Sequence, residues 1–348
     1  MSKTVFVGMS GGVDSSLTAA LLVEQGYNVV GVYMKNWTQD IPGFICPWKE
    51  DFQDAKRVAV RLGIELRVFD FEEQYRQKVV DYMIDEYKHG RTPNPDIMCN
   101  QEIKFKLFLD TALEQGADMI ATGHYARVVD DKLMVAANTA KDQTYFLYRV
   151  TDTALSKTLF PIGDFASKDE VRARAAEFKL PTAAKKDSQG ICFVGKVGIK
   201  EFLRQYVQTV PGPIVDAHGV TIGEHDGAIF YTVGQRHGLN VGGGLPYYVT
   251  HKDMESNTVY VTTDLQDESL WSSTVIVRDP HWINGASDGE FAVRLRYRGP
   301  LVKCQLMVAD DHAVLELADP QRAVAAGQSA VLYDGDRVLG GGIISETK

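Results

Sequence analysis

The chain has 348 residues, 45% of them apolar, and a formal net charge of −9. The length exceeds one usual domain, so two or three are expected, and the acidic balance argues against a general nucleic-acid coat while leaving room for one local basic patch. Four cysteines, Cys46, Cys99, Cys192 and Cys304, are too few and too dispersed for a secreted disulfide framework, and the lack of any Cys-x-x-Cys pair argues against a thiolate-bound zinc or iron–sulfur site.

The first element is an apolar run, Val5-Phe6-Val7-Gly8-Met9, which reads as a buried strand. Ser10-Gly11-Gly12-Val13-Asp14-Ser15-Ser16 follows, and then Leu17, Ala20, Leu21 and Leu22 at helical spacing, with Asp14 or Ser15 as the expected cap and Gly26 as the stop. A glycine-rich strand-to-helix turn with hydroxyls at a helix N-terminus is an anion site. A Walker loop and a dinucleotide fingerprint are both absent. Asn28 to Met34 is a second strand, with Met34 at the end where nucleotide sites of doubly wound sheets lie. An irregular stretch around Cys46 leads to a helix over Phe52 to Leu62, ending near Gly63. Glu65 to Phe71 is a third strand, and Glu72 to Lys88 a long helix. Two prolines make Gly90 to Asp96 a loop, with Cys99 and Asn100 directly after it. Phe105, Leu109 and Leu113 mark another helix, and Asp118 to Thr122 a fourth strand running into Gly123-His124-Tyr125. The expected architecture up to here is α/β, an open parallel sheet with helices on both faces.

A hairpin over 126–136, turning at Asp130-Asp131, precedes the polar loop Lys141-Asp142-Gln143-Thr144. Val171, Ala175 and Phe178 mark a helix, and Lys185 to Phe193 a polar loop around Cys192. Ile199 to Tyr206 is a short helix, and Pro211-Gly212-Pro213 a boundary. Beyond it glycine turns separate short strands, which predicts a small β-rich domain over 211–271 and a β-barrel over 272–348, after a nucleotide-binding domain over 1–210.

Cys99 and Cys192 both fall in polar surroundings, whereas Cys304 lies in an apolar strand and reads as core; aromatic neighbours favour packing for Cys46. Lys185 and Lys186 would lower the pKa of Cys192 if they pointed at it. Period 2 along Phe291 to Arg298 predicts Arg294, Arg296 and Arg298 on one strand face, suited to phosphate contacts. No run approaches the roughly 18 apolar residues of a membrane span, and no leader precedes the first strand, so a cytoplasmic protein is expected.

Ser-Gly-Gly-Val-Asp-Ser-Ser looks like the pyrophosphate loop of the ATP pyrophosphatases. Together with Asn94-Pro95-Asp96-Ile97-Met98-Cys99-Asn100 and Asp187-Ser188-Gln189-Gly190-Ile191-Cys192-Phe193, it resembles the tRNA-specific 2-thiouridylase family over essentially the whole chain. The resemblance implies adenylation of the C2 oxygen of the wobble uridine of tRNA by ATP, with Mg²⁺ offsetting phosphate charge, and then sulfur transfer from a cysteine persulfide. It implies that Gly8, Met9, Ser10, Gly11, Gly12, Val13, Asp14, Ser15, Met34 and Gly123 hold ATP; no metal ligands follow from it. It makes Cys192 the persulfide carrier, Cys99 its partner in a transient disulfide, and Asp96 a general acid or base. Asn94, Pro95 and Asp96 would meet the target base, and His124, Lys141, Asp142, Gln143, Arg296, Tyr297 and Gln328 would touch tRNA. A persulfide-donating sulfur-carrier protein is the implied second partner. Two rival readings are an ATP pyrophosphatase acting on a small carboxylate or carbonyl, which would release pyrophosphate without RNA, and a non-catalytic RNA-binding protein, which would tolerate loss of Cys99.

Overall fold

The computed structural model describes residues 2–43, 45–186, 198–239, 241–242, 244–285 and 287–348. The chain divides into two units, one of Met1–Val80, Pro95–Gly198 and Asp336–Leu339, the other of Asp81–Asn94, Ile199–Gly335 and Gly340–Lys348.

The first unit opens with β1 (Thr4–Gly8), α1 (Val13–Glu24), β2 (Asn28–Lys35), α2 (Trp48–Leu62) and β3 (Glu65–Asp70). Gly63 ends α2 in the left-handed conformation, as its position after the apolar pattern requires. α3 (Glu72–Tyr75) continues into a π-helical stretch, Arg76–Val80, and then α4 (Asp81–Lys88). The next helix begins earlier than expected. α5 (Pro95–Met98) starts on Pro95, because proline lacks only an N–H that the first turn does not use. It runs through a second π-helical stretch, Cys99–Leu107, into α6 (Phe108–Glu114). Asp96 and Cys99 are therefore helical residues, not loop residues, and Cys99 is buried.

β4 (Met119–Ala121) is followed by the hairpin β5 (Arg127–Val129) and β6 (Lys132–Met134), whose turn residues Asp130 and Asp131 both take positive φ. α7 (Asp152–Ser156), β7 (Thr158–Leu159) and α8 (Lys168–Glu177) complete the unit among the described residues. The sheet order is β3-β2-β1-β4-β7, every neighbouring pair parallel. β7, only two residues long, carries too short a signal to be read from sequence. Val5, Val7, Leu17, Leu22, Val58 and Ala121 form the core between this sheet and its helices.

In the second unit α9 is shorter than expected, Ile199–Leu203. β8 (Gly212–Val215), β9 (Thr221–His225), β10 (Tyr248–Asp253) and β11 (Thr258–Thr262) form a four-stranded sheet of order β10-β11-β8-β9. β12 (Trp271–Trp282), β13 (Gly289–Arg294), β14 (Val302–Val308), β15 (His312–Arg322), β16 (Ser329–Asp334) and β17 (Arg337–Thr347) close into a barrel through the β12–β17 pairing. Cys304 lies inside it, opposite Phe291 and Leu317, and burial pushes its thiol up to about 11. Burial alone would raise the Glu86 carboxyl, but Arg91 and Arg278 each donate to both of its oxygens and hold it below the usual range.

The arginine face departs from expectation. β13 stops at Arg294, and Arg298 takes a positive φ of 60° in the turn before Gly299-Pro300. Period 2 fails there because the chain leaves the sheet, so the three guanidiniums share no strand face. Arg294 lies over the Tyr333 ring instead.

Candidate active site

The strand order reverses at β1 and β4, the switch point where the loops after two neighbouring strands diverge and leave a crevice. The loop after β1 is Met9–Gly12. Gly12 stands at the N-cap of α1 in extended conformation, and no side chain caps the helix. The expected capping residues are engaged elsewhere. Ser15 Oγ accepts from Ser10 N at 3.1 Å and donates to Gly12 O at 3.2 Å, which folds the loop back on itself. Both carboxylate oxygens of Asp14 accept from Lys168 Nζ at 2.8 Å, and Oδ1 also accepts from the Tyr125 hydroxyl. No side chain therefore competes with an anion for the N–H groups that start α1.

Two glycines are required by space. Gly11 has φ +76°, and a Cβ there would lie 2.3 Å from the Asp51 carbonyl oxygen. A Cβ on Gly123, just after β4, would lie 2.7 Å from Ser15 N. The loop after β4 therefore presses its backbone against the first turn of α1. Gly8 and Met9 are buried beneath, and Met34 at the end of β2 comes within reach of Gly8. Ser167 caps α8 by accepting from Glu170 N, and this places Lys168 at the rim of the loop. Lys185 donates to Asp51 at 2.8 Å and to Asp54 at 2.6 Å, both on α2. Cys192 and the motif 187–193 lie outside the described residues.

A second cluster lies one residue further along the β4 loop. His124 is buried between Phe105 and Phe160, with ring centroids 5.6 and 6.2 Å away. Its Nδ1 is 2.8 Å from Thr122 Oγ1, and its Nε2 is 3.4 Å from Lys104 Nζ. Burial, and then Lys104, hold it well below the usual histidine range. The Cys99 thiol is pushed up by burial, drawn back by Lys104 and raised again by Asp96. Asp96 is open to solvent on its outer side, yet protein crowds its carboxyl closely enough that lost hydration raises it, against the pull of Lys104. Carboxyl, thiol and imidazole are all displaced toward their neutral forms. Cys46, by contrast, is a packing cysteine: its Sγ donates to the Trp37 carbonyl, and burial raises it.

Of the residues expected to meet RNA, two are buried. His124 is one, and Asp142 is the other, accepting from Ala136 N and the Thr144 hydroxyl. Gln143 is half-buried and its side chain accepts from Tyr125 N, while Lys141 is half-buried. In the second unit Arg296 is exposed and Tyr297 half-buried, in the turn after β13. Gln328 donates to the Thr92 carbonyl at 2.8 Å, which pins the strand of chain entering Asn94. Asn94 is half-buried and Pro95 buried. Sequence reasoning missed Lys104 and Lys168. The pair Ser167 and Glu170 marks a helix start and signals Lys168, but nothing in an α-helical reading puts Lys104 beside Cys99. A cleft of about 530 Å³ lined by Thr4, Asn28 and Glu65 opens at the N-terminal ends of the strands, the wrong end for a nucleotide.

Three family models match the chain: a tRNA methyl transferase HUP domain over residues 3–196, a tRNA methyl transferase PRC-barrel domain over 200–263, and an aminomethyltransferase beta-barrel domain over 272–344. The chain is 48% identical to the tRNA-specific 2-thiouridylase MnmA of Neisseria meningitidis serogroup A over 99% of its own length and 96% of that protein's. It is 46% identical to the protein of the same name from Bacillus mycoides, over 98% and 94%. Among solved structures, a 4-thiouridine synthetase–RNA complex with bound ATP matches with a TM-score of 0.38 and 18% identity, covering 59% of this chain and 50% of that one.

Proposed function

The chain belongs to the tRNA-specific 2-thiouridylase family, and from that premise we propose that it replaces the C2 oxygen of the wobble uridine of tRNA with sulfur in two stages. ATP first adenylates the oxygen and releases pyrophosphate. A persulfide sulfur on Cys192 then takes its place, and AMP leaves. One observation carries the reading: the consecutive residues Gly123 and His124 abut, respectively, an uncapped glycine-rich anion loop and a cluster built on a buried thiol. A methyl transferase has no use for such a loop, whereas a reaction that first splits ATP needs one.

Ser10 to Ser15 would receive the pyrophosphate on backbone N–H groups, with Mg²⁺ held by phosphate oxygens and water. Met34 and Gly123 would line the nucleotide. In the sulfur stage the Cys99 thiolate attacks the Cys192 sulfur of the persulfide. The persulfide S–S bond breaks, hydrosulfide is released, and a Cys99–Cys192 disulfide remains. Hydrosulfide adds to C2 and AMP departs with the oxygen. An external thiol reductant restores the cysteines, and a sulfur-carrier protein reloads Cys192. Asn94, Pro95 and Asp96 would meet the base, Asp96 as the proton carrier. Lys141, Gln143, Arg296, Tyr297 and Gln328 would face the RNA, with His124 and Asp142 supporting that surface from beneath. We assign adenylation and thiolation to residues 1–210, and RNA contact in part to the barrel over 272–348, past the small domain over 211–271. Among the described residues no helix is long and apolar enough to cross a membrane, and the cytoplasm is the proposed compartment.

The test is nucleoside mass spectrometry of tRNA incubated with the protein, ATP and a persulfide donor. The expected result is an oxygen-to-sulfur mass shift on uridine. Pyrophosphate release that needs no RNA, with uridine unchanged, would favour a small-molecule adenylating enzyme.

A further inference from the structure

We infer that Lys104 is a further residue of the sulfur-transfer site: the π-helical winding of Cys99–Leu107 sets its ammonium on the face that carries Cys99, where it stabilises the thiolate, and His124 holds it there. This rests on the role proposed above for Cys99.

In an α-helix, residues five apart lie about 140° apart around the axis. In a π-helix the N–H of residue i+5 bonds to the carbonyl of residue i, so i+5 sits one turn above i. Cys99 and Lys104 are the first and sixth residues of the π stretch. Asp96, three residues before Cys99 on α5, shares that side. The contact with His124 fixes the ammonium in place. An ammonium only donates, so at 3.4 Å His124 Nε2 accepts, and the ring proton sits on Nδ1 and donates to Thr122. The imidazole is thus neutral and leaves the charge of Lys104 uncompensated. Among the described residues no carboxylate lies within ion-pair distance of Lys104. Glu102, on the same helix, is paired with Lys106, and Arg149 reaches Gln101. The charged or titratable groups acting on Cys99 are therefore Asp96 and Lys104, and of these only Lys104 favours the thiolate. The step concerned is an ionisation: the S–H bond breaks, its proton leaves to solvent, and the electron pair stays on sulfur.

The test follows alkylation of Cys99 by iodoacetamide in the full-length protein, peptide by peptide, from about pH 6.5 to about pH 10. Cys46, buried elsewhere in the same unit, is the reference in every sample. In Lys104→Met the Cys99 rate relative to Cys46 should fall about tenfold at pH 8, with the midpoint displaced upward by about one pH unit. Lys104→Arg should keep the parent profile. The His124 ring resonance should titrate at a higher pH in Lys104→Met, because a repelling charge is gone. Where Lys104→Met loosens the fold and both cysteines react faster, the same ratio in Lys104→Gln decides. An unchanged ratio and midpoint in the neutral variants would overturn the inference. Failure of the Cys99 role looks different: Cys99→Ser would then make thiouridine at the parent rate, while the alkylation profiles stay as stated.

Discussion

Gly123 and His124 are neighbours in the chain and lie against two different clusters. On the Gly123 side the charges are paired at hydrogen-bonding distance, Asp14 with Lys168 and Asp51 and Asp54 with Lys185, and no side chain caps the backbone N–H groups that start α1. On the His124 side burial has pushed an imidazole down and a thiol up, and among the described residues no carboxylate lies within ion-pair distance of the one ammonium there. A polyanion can be received by fixed dipoles at little cost in reorganisation. A nucleophile has to be made at the moment of use, so its surroundings hold it neutral until a positive charge tips it. The two sites should therefore respond differently to mutation and to pH.

The largest expected effect separates them outright. Cys99→Ser and Cys192→Ser should each abolish thiouridine formation while tRNA-dependent adenylation persists, and Cys304→Ser should leave both intact. Quantifying adenylated and thiolated nucleoside in parallel decides it; loss of adenylation in Cys99→Ser would merge the two sites into one. Gly123→Ala is the converse. Its Cβ would push into the first turn of α1, so ATP-dependent pyrophosphate release should fall more than tenfold, with a stability cost of about 1–3 kcal/mol. Cys99 alkylation should keep its pH profile, and equal damage to both would break the distinction.

pH sharpens it further. Burial, eased by Lys104 and reinforced by Asp96, places the Cys99 thiol above its ordinary value. Below that value the thiolate fraction rises about tenfold per pH unit. Single-turnover sulfur transfer should climb accordingly from pH 7 toward pH 9, while pyrophosphate release stays nearly flat. The sign for stability follows from the same shift. The fold favours the neutral thiol, so that contribution is full below the unfolded pKa and is lost as pH rises through the folded one. A flat sulfur-transfer profile would show that Cys99 is not the titrating nucleophile. The smallest effect lies outside both sites. Arg296→Ala should weaken tRNA binding modestly and reduce its salt slope by roughly one, with ATP and thiol chemistry unmoved. Binding that is unchanged across a salt series would remove Arg296 from the RNA surface.

The glycine-rich turn between β1 and α1 was legible because residue type and strand-to-helix context are both local. Its capping was not, since Ser15 and Asp14 found partners at Ser10 and Lys168. Cys99 stood out as a candidate nucleophile, but its helix did not: Pro95 is compatible with a first turn as well as with a loop. Lys104 was invisible because the π winding that brings it to Cys99 has no pattern in an α-helical reading. The arginine strand misled because alternation was counted on to Arg298, whereas the strand ends at Arg294 and Arg298 sits in a turn with positive φ. Lys185 bonds to a helix more than a hundred residues earlier, a pairing that sequence proximity does not signal.

The Cys99–Leu107 stretch also works as a phase adjuster within one continuous helix. Upstream it presents Asp96 and Cys99; downstream it delivers Phe105, Phe108 and Leu109 to the core. Each residue advances an α-helix by about 100°, so the looser winding offsets the two halves by an angle that no substitution can reproduce. A one-residue deletion inside it would let the backbone relax to i→i+4 bonding. With the residue taken from between them, Cys99 and Lys104 would stand four apart and still share a face, whereas α-helical winding of the full-length stretch would turn them about 140° apart and leave the thiol without its ammonium.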